Sequence, residues 1–350
     1  MRIGIITFIN TLNYGASLQA YALQEVLKKL GNDAEIVQYV NHYIEEKEKN
    51  SKHTNLKSIY KRLIMGRGLK QKEKAFRNFE NNNLKFGMQL KNDTIQDVNN
   101  NYDLFITGSD QVWNMRITEK DWTYFLDFVD DNNKKISYAP SFGNDIFPDS
   151  EKEQAGRYLK QFKAISIREE SGKKLIKEIS NRNAEVVLDP TLLMNKEDWE
   201  SKIKFKPDLQ HYILVYFPHN KKIMFEFVNK LKQKTGLPVV YLSISPKIQT
   251  GVKTIYDASP DEFLGWINNA DYVITGSFHG TAFSINMNKQ FFYETSNESS
   301  RIGNLAKLVG VEDRIITNNN LEQKIDYSIV NKKLQEERKK SLNWLKKAIS

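Results

Sequence analysis

Short apolar runs alternate with longer segments of helical periodicity along most of the chain. Residues 2–8 form an apolar run typical of a buried strand, and residues 17–30 place apolar side chains at helical spacing until Gly31. A second strand is predicted at residues 34–40. A strand, a helix and a strand in this order favour a parallel sheet covered by helices.

The same alternation continues and then starts afresh in the second half of the chain. Further strands are predicted at residues 104–107, 135–139, 164–167, 211–217, 238–242, 272–275 and 290–293. Helices are predicted between the later strands, at residues 221–234 and 260–268, from Gly280, and at residues 301–308. A polar, lysine-rich stretch at residues 195–208 separates the two halves.

A chain of 350 residues is long for one hydrophobic core, so we expect two α/β domains. We place an N-terminal Rossmann-like domain at residues 1–195 and a C-terminal one at residues 205–330. Residues 331–350 are predicted to form a basic amphipathic helix that packs back on the first domain.

Residues 44–83 are predicted to be a basic helical insertion in the first domain. Lysine and arginine side chains alternate there with apolar ones, and Gly66 and Gly68 interrupt the helical pattern. Two interpretations stay open. The segment is either a solvated helix packed by its apolar side or a surface for anionic lipid or a lipid-linked acceptor.

Composition narrows the classes of partner and chemistry. The net charge of +9 favours anionic partners, but no zinc pattern, aromatic RNA motif or glycine-lysine phosphate loop favours specific nucleic-acid binding. The absence of cysteine excludes disulfides and thiolate sites, and no compact Asp/His cluster indicates a metal site. No apolar run approaches about 18 residues. We expect a cytoplasmic protein, placed at the inner face of the membrane if its acceptor is lipid-linked.

The tetrapeptide Ile-Thr-Gly-Ser ends one apolar run in each half, at residues 106–109 and 274–277. The repeat is either a coincidence or a sign of two similar halves whose strand ends face a shared cleft. Ligands of open α/β sheets bind at such strand ends, beside helix N-termini. The second turn leads to His279, which could transfer protons near neutral pH or be a turn histidine tied to the backbone.

Five segments, taken together, resemble the polysaccharide pyruvyl transferase family over residues 1 to about 315. In chain order they are residues 13–23, 108–114, 166–169, 188–191 and 276–281. The resemblance implies a fold like the GT-B glycosyltransferases, with two Rossmann-like domains facing a cleft. It also implies that pyruvate is transferred from phosphoenolpyruvate to two hydroxyls of a sugar, which forms a cyclic ketal and releases phosphate.

The implied donor carries a carboxylate and a phosphate, so its site needs two anion-binding groups. Arginines bind such groups in a bidentate manner, and helix N-termini offer backbone N–H donors. The candidate donor-binding residues are Arg168, Arg301, Gly276, Ser277, Gly280 and Thr281. Surface or salt-bridge roles are the alternative for both arginines. No cofactor beyond this donor substrate is expected.

The same reaction requires proton transfers and a site for the acceptor sugar. We predict His279 as the general acid or base, and Asp110 as a carboxylate that orients the acceptor hydroxyl or merely caps its own turn. The candidate acceptor-binding residues are Asn13, Gly15, Ser17 and Trp113. Trp113 is either a platform for a sugar ring or a core residue.

One departure from the family pattern concerns the donor site. Some members have an arginine two residues before this histidine, where this chain has Ser277, so Arg301 or Lys289 would have to replace that charge. Two other functions remain open. One is a GT-B glycosyltransferase with a nucleotide-sugar donor, in which Glu294 would bind the ribose, and the other is a non-catalytic protein that binds sugar or phosphate.

Overall fold

The computed structural model describes residues 1–41, 43–44, 56–143, 146–217, 221–243, 251–295, 301–316, 321 and 323–350, without the side chains of residues 56–67. The chain divides into two compact units. The first unit comprises Met1–Ser58, Glu80–Leu193 and Glu337–Ser350, and the second comprises Ile59–Phe79 and Met194–Glu336. Most of the predicted basic insertion before residue 56 lies outside the described residues.

The first unit contains seven parallel strands. They are β1 Arg2–Ile6, β2 Asp33–Gln38, β3 Phe86–Gln89, β4 Leu104–Thr107, β5 Lys135–Ser137, β6 Ala164–Ile167 and β7 Glu185–Val186. Their order across the sheet is β3-β2-β1-β4-β5-β6-β7. The side chains of β4 are all buried, as expected for a central strand with helices on both faces of the sheet.

A helix lies between each pair of consecutive strands, since parallel strands need a crossover connection. Those described in or next to the first unit are α1 Tyr14–Lys29, α2 Leu56–Asn83, α3 Ile95–Asn101, α4 Met115–Thr118, α5 Asp149–Gln161, α6 Glu170–Ser180 and α7 Pro190–Leu193. Short 3₁₀ helices lie at Trp122–Phe125 and Asn132–Lys134. Helix α1 begins three residues before its predicted start, because the Asn13 side chain accepts a hydrogen bond from Gly15 and caps it.

The second unit repeats the architecture with five parallel strands. They are β8 Ile213–Tyr216, β9 Val239–Leu242, β10 Lys253–Ile255, β11 Tyr272–Thr275 and β12 Gln290–Tyr293, in the order β10-β9-β8-β11-β12. The helices are α8 Lys196–Glu200, α9 Lys221–Thr235, α10 Pro260–Asn269, α11 Phe278–Asn286 and α12 Arg301–Val309, followed by a 3₁₀ turn at Glu312–Arg314. Two parallel α/β sheets confirm the predicted fold class.

The last helix, α13 Tyr327–Ile349, ends on the first unit. The Ser341 hydroxyl accepts a hydrogen bond of 3.0 Å from the Leu188 N–H, and Arg338 donates one of 2.7 Å to the Leu192 carbonyl. The Trp344 ring lies 6.1 Å from the ring of Tyr138. The predicted packing of the C-terminal helix on the first domain is therefore confirmed.

The middle of α2 belongs to the second unit, although the sequence placed this basic segment in the first domain. Gly68 lets the helix approach Tyr256, because a Cβ there would lie 3.2 Å from the tyrosine ring. One turn later, Lys72 is only 2% exposed, and its Nζ lies 5.2 Å from the centre of the same ring. The turn of α2 that contains Gly68 and Lys72 thus packs on Tyr256, which follows β10.

Candidate functional site

The turn between β11 and α11 is a helix N-terminus built by short polar side chains. The Ser277 hydroxyl caps α11 by accepting from the Gly280 N–H at 3.4 Å, and Thr275 Oγ1 accepts from the Ser277 N–H at 3.0 Å. The side chain of Ser277 also forms a hydrogen bond with Tyr216, whose hydroxyl pKa is raised by burial. This turn therefore has a fixed conformation before any ligand binds.

Gly276, Gly280 and Thr281 are all buried parts of this turn. Gly280 permits close packing, since a Cβ there would lie 2.4 Å from Thr275 Oγ1. The Thr281 hydroxyl donates to the Ser277 carbonyl at 3.0 Å. The capping bonds explain why α11 begins at Phe278, two residues before its predicted start.

His279 lies in the first turn of α11 and is 6% exposed. The neighbouring Phe278 ring meets the imidazole edge to face, with 5.3 Å between the ring centres. The Arg301 guanidinium lies over the same phenyl ring, 5.8 Å from its centre. The structure thus brings a cation at the start of α12 and the predicted catalytic histidine to the same aromatic side chain.

Lys289 lies at the opposite edge of this sheet and is not a replacement for the missing arginine. It directly precedes β12, whose first residue pairs with the first residue of β11, so it sits at the amino ends of the strands. Its Nζ donates to the Asn268 carbonyl at 2.9 Å. Glu294 follows β12 at the carboxyl edge, and its N–H donates to the Thr275 carbonyl.

In the first unit, the Thr-Gly-Ser turn at residues 107–109 follows the central strand β4. Gly108 has a φ of +135°, and a Cβ there would lie 2.0 Å from the Tyr138 carbonyl oxygen, so only glycine fits. Asp110 follows with a φ of +71° and is largely buried. Its carboxylate accepts from the Gln111 N–H at 2.8 Å, which is the turn-capping contact that the sequence left open.

Arg168 is part of a buried polar network beside this turn. Its Nη2 lies 2.6 Å from Ser109 Oγ and 3.2 Å from Asp189 Oδ2, and both side chains of the ion pair are at most 2% exposed. The other carboxylate oxygen of Asp189 accepts from the Thr191 N–H and hydroxyl. This geometry is the salt-bridge alternative for Arg168, and its role toward the donor stays a prediction.

The start of α1 is joined to the same network through Gln19. The Gln19 amide accepts from the Ser109 N–H at 3.0 Å and donates to Thr7 Oγ1 at 2.8 Å. Asn13 is exposed at the cap, and the Gly15 N–H is directed at it. The first unit therefore brings the predicted acceptor loop and the turn that holds Asp110 together.

The side chains of Ser17 and Trp113 are both engaged in contacts within the protein. The Ser17 hydroxyl donates to Glu80 Oε1 at 3.1 Å, and both residues are 2% exposed. Trp113 is 0% exposed, is stacked on Phe125 at 5.0 Å, and donates its indole N–H to the Tyr124 carbonyl. Trp113 is thus a core residue in this structure, and a sugar cannot reach its ring.

A comparison with models of protein families identifies the family of this chain. The model of the polysaccharide pyruvyl transferases matches residues 13–297, which is most of the chain. The chain belongs to the polysaccharide pyruvyl transferase family. The matched range contains every residue proposed for the site except Arg301. Membership makes the protein a transferase of the kind that pyruvylates polysaccharides.

The fold of this pyruvyl transferase family member is also similar to the folds of solved structures. A candidate UDP-N-acetylglucosamine 2-epimerase from Listeria monocytogenes is similar with a TM-score of 0.55 and 8% identity, over 99% of this chain and 90% of the other. MnaA of S. aureus, solved with UDP, is similar with a TM-score of 0.51 and 10% identity, over 96% and 87%. At these identities the likeness concerns the fold alone. A search of curated proteins gives no match.

Sequence reasoning missed two residues of the pyruvyl transferase's buried network. Asp189 lies within a segment that carried the resemblance, but its pairing with Arg168 depends on the adjacency of β6 and β7. Gln19 also lies within a segment that carried the resemblance, residues 13–23, but no role was predicted for it. A carboxylate that directly follows an apolar run, next to an arginine that follows another, was the available signal for the ion pair.

The described residues of this pyruvyl transferase contain neither a candidate membrane span nor a candidate metal site. None of its described helices is both long and apolar enough to cross a bilayer. Across the same parts of the chain, no group of three or more His, Asp and Glu side chains is arranged to bind a metal ion.

Proposed function

We propose that the protein transfers pyruvate from phosphoenolpyruvate to two hydroxyls of one sugar in a cell-surface polysaccharide or its lipid-linked precursor. The product is a cyclic ketal, and phosphate is released. The observation that carries the proposal is the family match over residues 13–297, within which His279 lies at a capped helix N-terminus. The Arg301 guanidinium lies over the ring of Phe278, which also contacts His279, and it adds a positive charge beside this helix N-terminus.

The reaction balances with only proton transfers. Protonation of the terminal carbon of the enol makes the central carbon electrophilic, and the first sugar hydroxyl adds to it. The second hydroxyl then takes the place of the departing phosphate. One hydroxyl proton ends in the new methyl group and the other leaves with the phosphate, so the protein needs an acid and a base but no oxidant.

We assign the proton transfers to His279, since an imidazole can both accept and donate a proton near neutral pH. The donor's anionic groups would bind the Arg301 guanidinium and the turn containing Gly276, Ser277, Gly280 and Thr281, where the dipole of α11 favours negative charge.

For the acceptor we assign Asp110 as the carboxylate that orients a sugar hydroxyl. The exposed Asn13 and the adjoining Gly15 would contact other hydroxyls, as they lie beside the same turn network. Ser17 would act indirectly, by holding α1 through Glu80. The buried pair of Arg168 and Asp189 would keep Ser109, and with it Asp110, in place.

Thermal-shift titration with phosphoenolpyruvate tests this donor assignment, because a ligand that binds only the folded state raises the Tm with its concentration. We expect stabilisation by phosphoenolpyruvate that is reduced in the Arg301→Ala variant. Arg157→Ala is the matched control, since Arg157 is an exposed arginine of α5. Inorganic phosphate and pyruvate in parallel separate recognition of the whole donor from recognition of its parts.

Nucleotide sugars and free nucleotides form the second arm of the same titration. One of the structures similar to this chain was solved with UDP, so a nucleotide-sugar donor on this fold is the competing function. Stabilisation by a nucleotide and none by phosphoenolpyruvate would contradict the proposal and indicate a glycosyltransferase. Conversion of phosphoenolpyruvate to phosphate in the presence of an acceptor glycan would then complete the test.

A further inference from the structure

Helix α13 carries three pairs of adjacent lysines at intervals of seven residues. The pairs are Lys332-Lys333, Lys339-Lys340 and Lys346-Lys347. Seven residues differ from two full turns of an α-helix by only about 20°, so the pairs line up along one side. From the first pair to the last, this lysine stripe extends about 21 Å along the axis. All six lysines are exposed.

The opposite side of α13 is already used for packing. Its buried side chains are Val330, Leu334, Ser341, Leu345, Ala348 and Ile349. Apart from Ser341 these residues are apolar, and because they face the protein, the helix has no apolar side left to insert into a membrane. The stripe is therefore a rigid, solvent-facing row of charges.

Acidic residues offset little of this charge. The helix contains only Glu336 and Glu337, and the latter pairs with Lys340 through a carboxylate that is 22% exposed. The helix after Glu337 has no acidic residue. Ile329, which is 55% exposed, lies one turn before the first lysine pair and on the same side of the helix.

We propose that the lysine stripe is a docking surface for an anionic lipid bilayer. A straight row of charges fits a flat array of headgroups, and lysines, as hydrated point charges, suit diffuse attraction better than bidentate binding of one ligand. Clusters of about four to eight basic residues on a helix are sufficient for such attraction. The exposed Ile329 would add a shallow apolar contact. This inference does not depend on the proposed reaction.

Vesicle co-sedimentation of the full chain tests the docking surface. The wild type should sediment with vesicles of phosphatidylglycerol and phosphatidylcholine, but not with phosphatidylcholine alone, and high salt should release it. Replacing Lys332, Lys339, Lys346 and Lys347 with Gln should lower the partition coefficient at least about tenfold. The matched control replaces four exposed lysines of α9 with Gln, namely Lys221, Lys222, Lys232 and Lys234. It removes the same charge and should retain most of the binding.

Three outcomes would overturn the proposal. Equal losses in the two variants would show that net charge alone drives binding, and no loss in either would place the membrane contact elsewhere. Binding to dextran sulfate without binding to the anionic vesicles would also contradict it, since the stripe would then serve a polymeric partner. Equal Tm values for the variants and the wild type make these comparisons valid.

Discussion

At the scale of single residues, the candidate site combines a histidine, a phenyl ring and an arginine from two helices. His279 and Phe278 open α11, and Arg301 opens α12. Neither helix places the groups together by itself. The Phe278 ring contacts both the imidazole and the guanidinium, at the N-terminus of α11 where the helix dipole favours a bound anion.

Replacement of His279 by Ala should lower kcat for ketal formation by at least about 10²-fold, the usual contribution of a general acid or base. The assay is release of phosphate from phosphoenolpyruvate with the acceptor glycan present. His211→Ala is the control, because His211 is exposed and pairs with Asp271 at the surface. Retained turnover in the His279 variant would rule out its role in proton transfer.

Replacement of Arg301 by Ala should raise the apparent KM for phosphoenolpyruvate by more than it lowers kcat. In its proposed role the guanidinium would bind the donor in both the ground state and the transition state, so its loss should mainly remove uniform binding. Arg301→Lys, which keeps the charge but loses bidentate geometry, should be intermediate. Unchanged donor kinetics in the Ala variant would mean that the phosphate binds elsewhere.

At the scale of elements, α2 buries a charged side chain against aromatic rings, and this burial opposes the charged form of the group. Lys72 is held over the rings of Tyr256 and Phe76, and burial lowers the pKa of its ammonium from the usual 10.5 to about 8. Between these two values the unfolded chain binds more protons than the folded one. Folding stability should therefore rise with pH across this window.

The Lys72→Met variant isolates this effect. The Tm difference, variant minus wild type, should decrease as the pH is raised from about 8 to 10.5, because only the wild type is relieved of a buried charge. The exposed neighbour Lys74, replaced by Met, should give a difference that does not change with pH. A constant difference for both variants would show that Lys72 is charged to the same extent in the folded and unfolded chains.

Elements also show how far the sequence predicts this structure. The unbroken apolar runs predicted β1, β4, β8 and β11, since buried parallel strands carry a strong signal. Strands β3 and β10 were missed because neither is an unbroken apolar run, as their sequences are FGMQ and KTI, and only pairing with a neighbour makes them strands. Of the site, the turns were predictable, whereas the ion pair of Arg168 with Asp189 depends on which strands are adjacent.

At the scale of the whole molecule, the last helix completes a unit that begins with the first residue. Leu345 is fully buried on this helix, so Leu345→Ala should lower the free energy of unfolding by about 2–5 kcal/mol. The exposed neighbour Lys346, replaced by Ala, should change it by no more than about 0.5 kcal/mol. Urea unfolding measures both. Equal effects would show that the helix contributes little to the first unit.

The return of α13 to the first unit has a consequence for biosynthesis. Residues 337–350 leave the ribosome only after the whole of the second unit has been translated, yet they cover part of the first. During the synthesis of about 140 further residues, the apolar surface of the first unit that α13 later covers remains exposed in the nascent chain. A stalled or truncated chain would therefore be recognised by chaperones and proteases through its first unit, although every residue of that sheet is present.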